Sequence, residues 1–212
     1  MGRWRALPAS WLPWAVYGPL AALGAALSWL HRGQVLTAPT GGPRLSPDAS
    51  ASQLLGLALA LAVALLTVLT TRWLVRHTRW ARSLQGTLRA ALLGASSRRL
   101  LLLALSSSIA EELFFRAALL PSIGVLGSSL IFGALHNSAS RDSQLPWMVW
   151  ATLMGLVFGL LFVASGSLLA PLFAHAAINY ENMHYLCNAE PAETVRPRER
   201  SVDPHGERWR HL

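Results

Sequence analysis

The chain has 212 residues, 53% of them hydrophobic and only 13% charged. Soluble globular domains carry about a quarter charged residues, so composition excludes an ordinary water-soluble enzyme. The basic excess of 18 residues to 10 does not indicate a nucleic-acid binder, because such domains are polar with clustered charge, and no nucleic-acid partner is expected. All 18 basic residues are arginine, and the single cysteine, Cys187, permits neither an internal disulfide framework nor a CxxC metal site.

A membrane-spanning helix needs ~20 mostly apolar residues. Uncharged stretches run from Leu12 to Leu30 and from Leu54 to Thr71, separated by a loop with Pro39, Gly41, Gly42, Pro43 and Pro47. An arginine-rich stretch from Arg72 to Arg99 follows, and within it Gly86 to Ser97 is expected to form a short interfacial helix. Further spans are expected at Leu100–Leu120, ended by Pro121, then at Ser122–Ser138, Pro146–Ala164 and Ser167–Leu186. The proline-containing polar tail from Asn188 to Leu212 is expected to be flexible.

The predicted fold is therefore all-α, a polytopic transmembrane bundle of about six spans. Residues 1–99 hold two transmembrane helices and an arginine-rich loop, 100–187 the helical core, and 188–212 the tail. Trp11, Trp14, Trp29, Trp73, Trp147 and Trp150 fall near proposed span ends, as an aromatic belt requires. The positive-inside rule puts the arginine-rich stretch, and with six spans both termini, in the cytoplasm of a cell inside its inner or plasma membrane. The lipid bilayer is thus one expected partner.

Between Leu100 and Leu186 the charged residues are Glu111, Glu112, Arg116, Arg141, Asp142 and Glu181. Arg141 and Asp142 are assigned to a loop and Glu181 to a span end. Glu111, Glu112 and Arg116 sit inside the third span, where each charge costs ~2.5–3.5 kcal/mol on insertion scales. Glu112 and Arg116 are four apart and can pair on one helical face, while Glu111 lies about 100° away and needs another partner. The fourth span carries His136, four residues after Phe132, and the sixth carries His175 and Asn179 four apart. At 1.5 Å rise per residue, Glu111, His136, His175 and Asn179 reach overlapping depths and are expected to converge near mid-membrane. The run Ser106–Ser108 has no adjacent base and is not a convincing nucleophile. Gly155 and Gly159 are expected to serve close helix packing.

Three motifs, Glu111-Glu112-x-x-x-Arg116, Phe132-x-x-x-His136 and His175-x-x-x-Asn179, stand in order on separate apolar helices. This set resembles that of the CPBP family of intramembrane endopeptidases, which process CAAX tails and bacteriocins and are also called the ABI or type II CAAX protease family. The resemblance covers about Leu100 to Leu186. It implies hydrolysis of a peptide bond in a membrane-associated protein or peptide, near its C-terminus. By the same resemblance Glu111 would activate a water, Glu112 and Arg116 would orient that base, His136 and His175 would bind or polarise water and carbonyl, and Asn179 would stabilise the oxyanion.

Glu111, His136 and His175 also match the ligand set of a catalytic zinc site, and the family has been described both as metalloproteases and as glutamic proteases. The HExxH signature is absent, and a metal ligand at Glu111 would leave only Glu112 as base, so the favoured reading requires no cofactor. Two rivals use the same residues. One is a non-catalytic immunity protein or scaffold of the same fold, and the other a small transporter or proton relay.

Overall fold

A computed structural model describes residues 12–39, 42–138 and 140–188. The expectations for Arg3, Arg5, Trp11 and the tail beyond Asn188 fall outside these residues. Seven α-helices succeed one another: α1 (Leu12–Arg32), α2 (Ala49–His77), α3 (Arg79–Leu92), α4 (Ser97–Glu112), α5 (Leu120–Leu135), α6 (Arg141–Ser165) and α7 (Leu169–Asn188), with a π-helical segment, Leu113–Leu119, joining α4 to α5. Among the described residues there is no strand, only an isolated bridge between Thr37 and Ser167.

The outer surface of the bundle is apolar. Small residues face inward, with Ala60 and Ala64 of α2 packed against Ala170 and Ala174 of α7 and Phe158 of α6. Large ones face outward, and Leu54, Leu61, Leu65, Leu66 and Leu69 of α2 are each more than half exposed. Close approach through small residues is how helices associate where lipid removes the hydrophobic drive between them. Three stretches among the described residues, 49–77, 97–135 and 141–165, are long and apolar enough to cross a membrane. The middle one is two arms. Gly124 (φ 74°, ψ 171°) breaks it, a conformation open to glycine and costly for other residues. Six arms result, α1, α2, α4 with the π segment, α5, α6 and α7, while α3 is amphipathic.

Several boundaries differ from the sequence expectation. Pro121 does not end the third span. It sits in the first turn of α5, where its missing N–H is tolerated, and the chain turns three residues later at Gly124. The arm beyond that turn is short and closes at Leu135, so His136 is a C-cap residue outside the helix. Helix α2 is longer than predicted because Asp48 caps its start and it continues past Arg72 to His77. Arg141 and Asp142 belong to the first turn of α6, with Asp142 favourably placed at the helix N-terminus, and Pro146 lies inside that helix. The amphipathic helix of this region is α3, which starts seven residues earlier than the interfacial helix expected there. Its apolar positions Ala81, Leu84 and Leu88 recur at helical spacing, and Gly94 (φ 77°) separates it from Ser96, which caps α4.

Two ties anchor α1 and the loop that follows it. A Cβ at Gly24 of α1 would lie 2.6 Å from the Phe114 nitrogen, so α1 meets the π segment backbone to side-chain-free backbone. The loop after α1 also clasps the turn between α6 and α7, with Ala38 N–H donating to the Gly166 carbonyl (3.1 Å) and Leu168 N–H to that of Leu36 (2.8 Å).

Candidate active site

Glu111 lies thirteen residues before Gly124 and His136 twelve residues after it. Two arms of nearly equal length therefore bring both side chains to one level. Ser128 Oγ bonds the Phe115 carbonyl (2.7 Å) and the rings of Phe115 and Phe132 meet edge to face at 5.0 Å, which holds the arms in that register. Helix α7 runs antiparallel to α4 and adds His175 beside Glu111 and Asn179 beside Ser107.

The buried half of the cluster is an ion network. Glu112 and Arg116 are 0% and 1% exposed and pair at 3.2 Å (Oε2 to Nε). Burying such a pair is costly unless its remaining donors and acceptors find partners, and here they do so in part: Arg116 Nη1 and Glu112 Oε2 make no hydrogen bond in the protein. The Arg116 guanidinium donates to the Gly155 carbonyl (3.3 Å) and lies over the Phe132 ring, 4.5 Å from its centroid. Gly155 gives that carbonyl no side chain to screen it, and its bare Cα lets Ser129 of α5 approach, where a Cβ would lie 3.1 Å away. The other Glu112 oxygen accepts from His175 Nδ1 at 2.8 Å, while Phe158 stacks on the imidazole at 4.9 Å. Glu112 thus orients His175, not Glu111 as the sequence reading had it.

The open half faces a cavity of about 380 Å³. His136 Nδ1 lies 2.7 Å from the Phe132 carbonyl, and its ring is edge-on to Trp147 at 5.7 Å. A carbonyl and a carboxylate can only accept, so both histidines donate through Nδ1 and, when neutral, carry a lone pair on Nε2. Both Nε2 atoms lie within 4 Å of one atom. Glu111 Oε2 is 3.9 Å from His136 Nε2 and 3.8 Å from His175 Nε2, is buried, and has no hydrogen-bond partner in the protein. Three acceptors around one point are satisfied by a group that brings protons or positive charge, or by protonation of one of the three.

The donor types suit zinc, but their spacing is wide for it. Ligands at about 2.1 Å in tetrahedral array stand ~3.4 Å apart. Among the described residues no group of three His, Cys, Asp or Glu side chains is close enough to hold a metal. A water is larger in reach and can donate to a carboxylate and an imidazole across these gaps.

All six residues singled out in the sequence thus lie in one neighbourhood: Glu111, Glu112, Arg116, His136 and His175 in direct succession, and Asn179 on the next turn of α7. Ser107 was passed over as a nucleophile, and it has a different part. Its hydroxyl donates to the Ala104 carbonyl (3.1 Å), which leaves its oxygen as an acceptor for Asn179 Nδ2 (3.2 Å). That bond points the amino end of the amide toward α4. The only available signal was its position one turn before Glu111. Trp147 and Trp150 also line the cavity, whereas Trp14, Trp29 and Trp73 are more than half exposed.

Residues 93–180 match a family model described as type II CAAX prenyl endopeptidase Rce1-like. This segment is similar to the type II CAAX prenyl endopeptidases. No curated protein and no solved structure matched the chain. The Rce1-like segment spans α4 to α7 up to Tyr180, so it contains every one of the six residues, and the match supports a protease of CAAX type in a membrane-embedded chain. Helices α1, α2 and α3 lie before it, yet Tyr17, Arg72 and Leu84 from these helices line the same cavity as the Rce1-like residues.

Proposed function

We propose that this chain is an intramembrane endopeptidase that hydrolyses a peptide bond near the C-terminus of a membrane-associated protein or peptide by means of a glutamate-activated water, with its termini in the cytoplasm. The observation that carries the reading is the buried, unpartnered Glu111 Oε2 flanked by two histidine Nε2 atoms at 3.8 and 3.9 Å.

A water in contact with these groups gives one proton to Glu111 and hydrogen-bonds one histidine with the other, which aims its oxygen lone pair at the carbonyl carbon. The C–O bond forms as Glu111 takes the proton, and negative charge moves to the former carbonyl oxygen. One N–H of Asn179 is held by Ser107, and the second is available to that oxyanion; preorganised donors of this kind contribute about 2.7–4 kcal/mol each. Glu111 then returns its proton to the leaving nitrogen as the C–N bond breaks, so the sum is addition of one water. Glu112 and Arg116 keep His175 in the required tautomer without touching the substrate.

The test is mass spectrometry of membrane proteins from cells with and without this chain. Fragments released near C-termini with the wild-type chain, and not with Glu111→Gln accumulated to the same level, are the expected result. Unchanged fragments with Glu111→Gln would overturn it and return the site to a scaffold or a proton relay.

A further inference from the structure

Helix α3 forms one wall of the chamber. Its apolar stripe, Ala81, Leu84 and Leu88, lines the cavity. Gln85 stands in the middle of that stripe, lines the same cavity and is 9% exposed. Polar residues of an amphipathic helix belong on its outer face, so an amide on the inner one is out of pattern. It also lacks a partner: among the described residues Gln85 makes no hydrogen bond. A buried primary amide that bonds nothing costs stability.

Helix α3 is pinned on either side of this residue. The hydroxyls of Ser83 and Ser140, the residue before α6, share a hydrogen bond (2.8 Å), and Arg89 donates to the Leu186 carbonyl of α7 (2.9 Å). Gln85 therefore has a fixed place between the start of α6 and the end of α7. Other polar side chains of the wall are committed. Thr71 and Arg72 bond Asn182, Asn179 bonds Ser107, and both histidines are held through Nδ1. A peptide drawn into an apolar chamber brings a backbone N–H and C=O at each residue, and each needs a partner. A glutamine amide offers an acceptor and two donors in one plane, which match that pair. It carries no charge, so it suits a neutral backbone, and Leu84 and Leu88 beside it suit apolar side chains.

We propose that Gln85 holds the main chain of the peptide to be cleaved, with Oε1 accepting from a backbone N–H and Nε2 donating to a backbone carbonyl. This rests on the endopeptidase reading above, and it puts one substrate contact outside the Rce1-like stretch of residues 93–180. Full-length protein in phosphatidylcholine proteoliposomes is given a library of apolar peptides, and cleavage is read by mass spectrometry. Capture of the same peptides is read on the Glu111→Gln protein, with and without Gln85→Met. The peptide cleaved fastest, or captured best if none is cleaved, is remade with each backbone amide in turn replaced by an ester. An ester lacks the N–H and is a weaker acceptor.

In the wild type, an ester at one bond other than the cleaved one should lower kcat/KM about three- to tenfold, the net worth of one neutral hydrogen bond. In Gln85→Met, or in Gln85→Leu if only that accumulates, the same ester should cost nothing further. With the all-amide peptide, KM should rise by that factor while kcat holds. The thermal midpoint of the variant should not fall, since the amide bonds nothing among the described residues. Equal ester losses in wild type and variant would make Gln85 part of the packing and overturn the proposal. So would a wild type that tolerates an ester at every bond but the cleaved one, a result that needs no variant. Gln85-dependent capture of the all-amide peptide over its ester, without any cleavage, would uphold the contact and overturn the endopeptidase reading. Neither cleavage nor capture would overturn both.

Discussion

The two histidines of the site occupy opposite surroundings. His175 lies mid-helix on α7 with its side chain 7% exposed, its Nδ1 held by a carboxylate that is itself paired with Arg116. His136 lies off the end of α5 with its side chain 23% exposed, held by one backbone carbonyl and one tryptophan edge. The α4–α7 side is thus fixed by charge in a low-dielectric interior, where a missing partner is expensive. The α5–α6 corner is fixed by backbone geometry and tolerates change. Stability resides on one side and adjustability on the other, with Glu111 between them.

The largest effect should come from the group both sides serve. Glu111→Gln is expected to lower kcat about a hundred- to ten-thousand-fold, measured on purified protein in proteoliposomes, with the thermal midpoint in detergent nearly unchanged. A residual rate within tenfold of wild type would move the base elsewhere. Next comes the charged side. Glu112→Ala leaves Arg116 buried and unpaired, at a cost of about 3–5 kcal/mol, so the thermal midpoint and the activity should fall together. His136→Ala, on the other side, should lose activity while keeping its midpoint. Equal destabilisation by the two substitutions would erase the distinction between the sides.

A smaller effect is expected at Ser107. Ser107→Ala frees the Asn179 amide to rotate and should cost about tenfold in kcat with little change in KM, less than removing an oxyanion donor outright. Asn179→Ala should then add less in the Ser107→Ala background than in wild type, a coupling that a double-mutant cycle measures. Independent, additive losses would disconnect the two residues. The smallest effect belongs to Trp147→Phe, which keeps an aromatic edge against His136 and should alter KM a few-fold at most by the usual scale of edge-to-face contacts.

The sequence carried the chemistry of the site better than its frame. Charges inside an apolar run stand out because each is costly there, so Glu111, Glu112 and Arg116 were visible, and His136, His175 and Asn179 followed from their helical spacing. Ser107 was not, because a hydroxyl is cheap in a membrane helix and its role depends on a side chain 72 residues away. Pro121 gave a false boundary, since proline is acceptable in a first turn, and the glycine that makes the reversal gave no stronger local signal than other glycines in the chain. That Trp147 and Trp150 line the cavity was hidden for a related reason: a tryptophan near a span end suits both the lipid interface and a cavity wall, and packing shows the second.

The π segment between α4 and α5 has a consequence for what counts as one folding unit. A π turn shifts the hydrogen-bond ladder and releases carbonyls that need outside donors. Ser128 satisfies that of Phe115 from within the family-matched stretch, but that of Ala117 is met by Arg32 (2.9 Å), at the end of α1. Arg32 is itself tethered to Ser28 and to the Thr37 carbonyl. The arm that carries Glu111 is therefore completed by a helix some sixty residues upstream of the matched stretch. A fragment cut to residues 93–180 would keep all six polar residues of the site and lose the donor that meets the Ala117 carbonyl of the π segment.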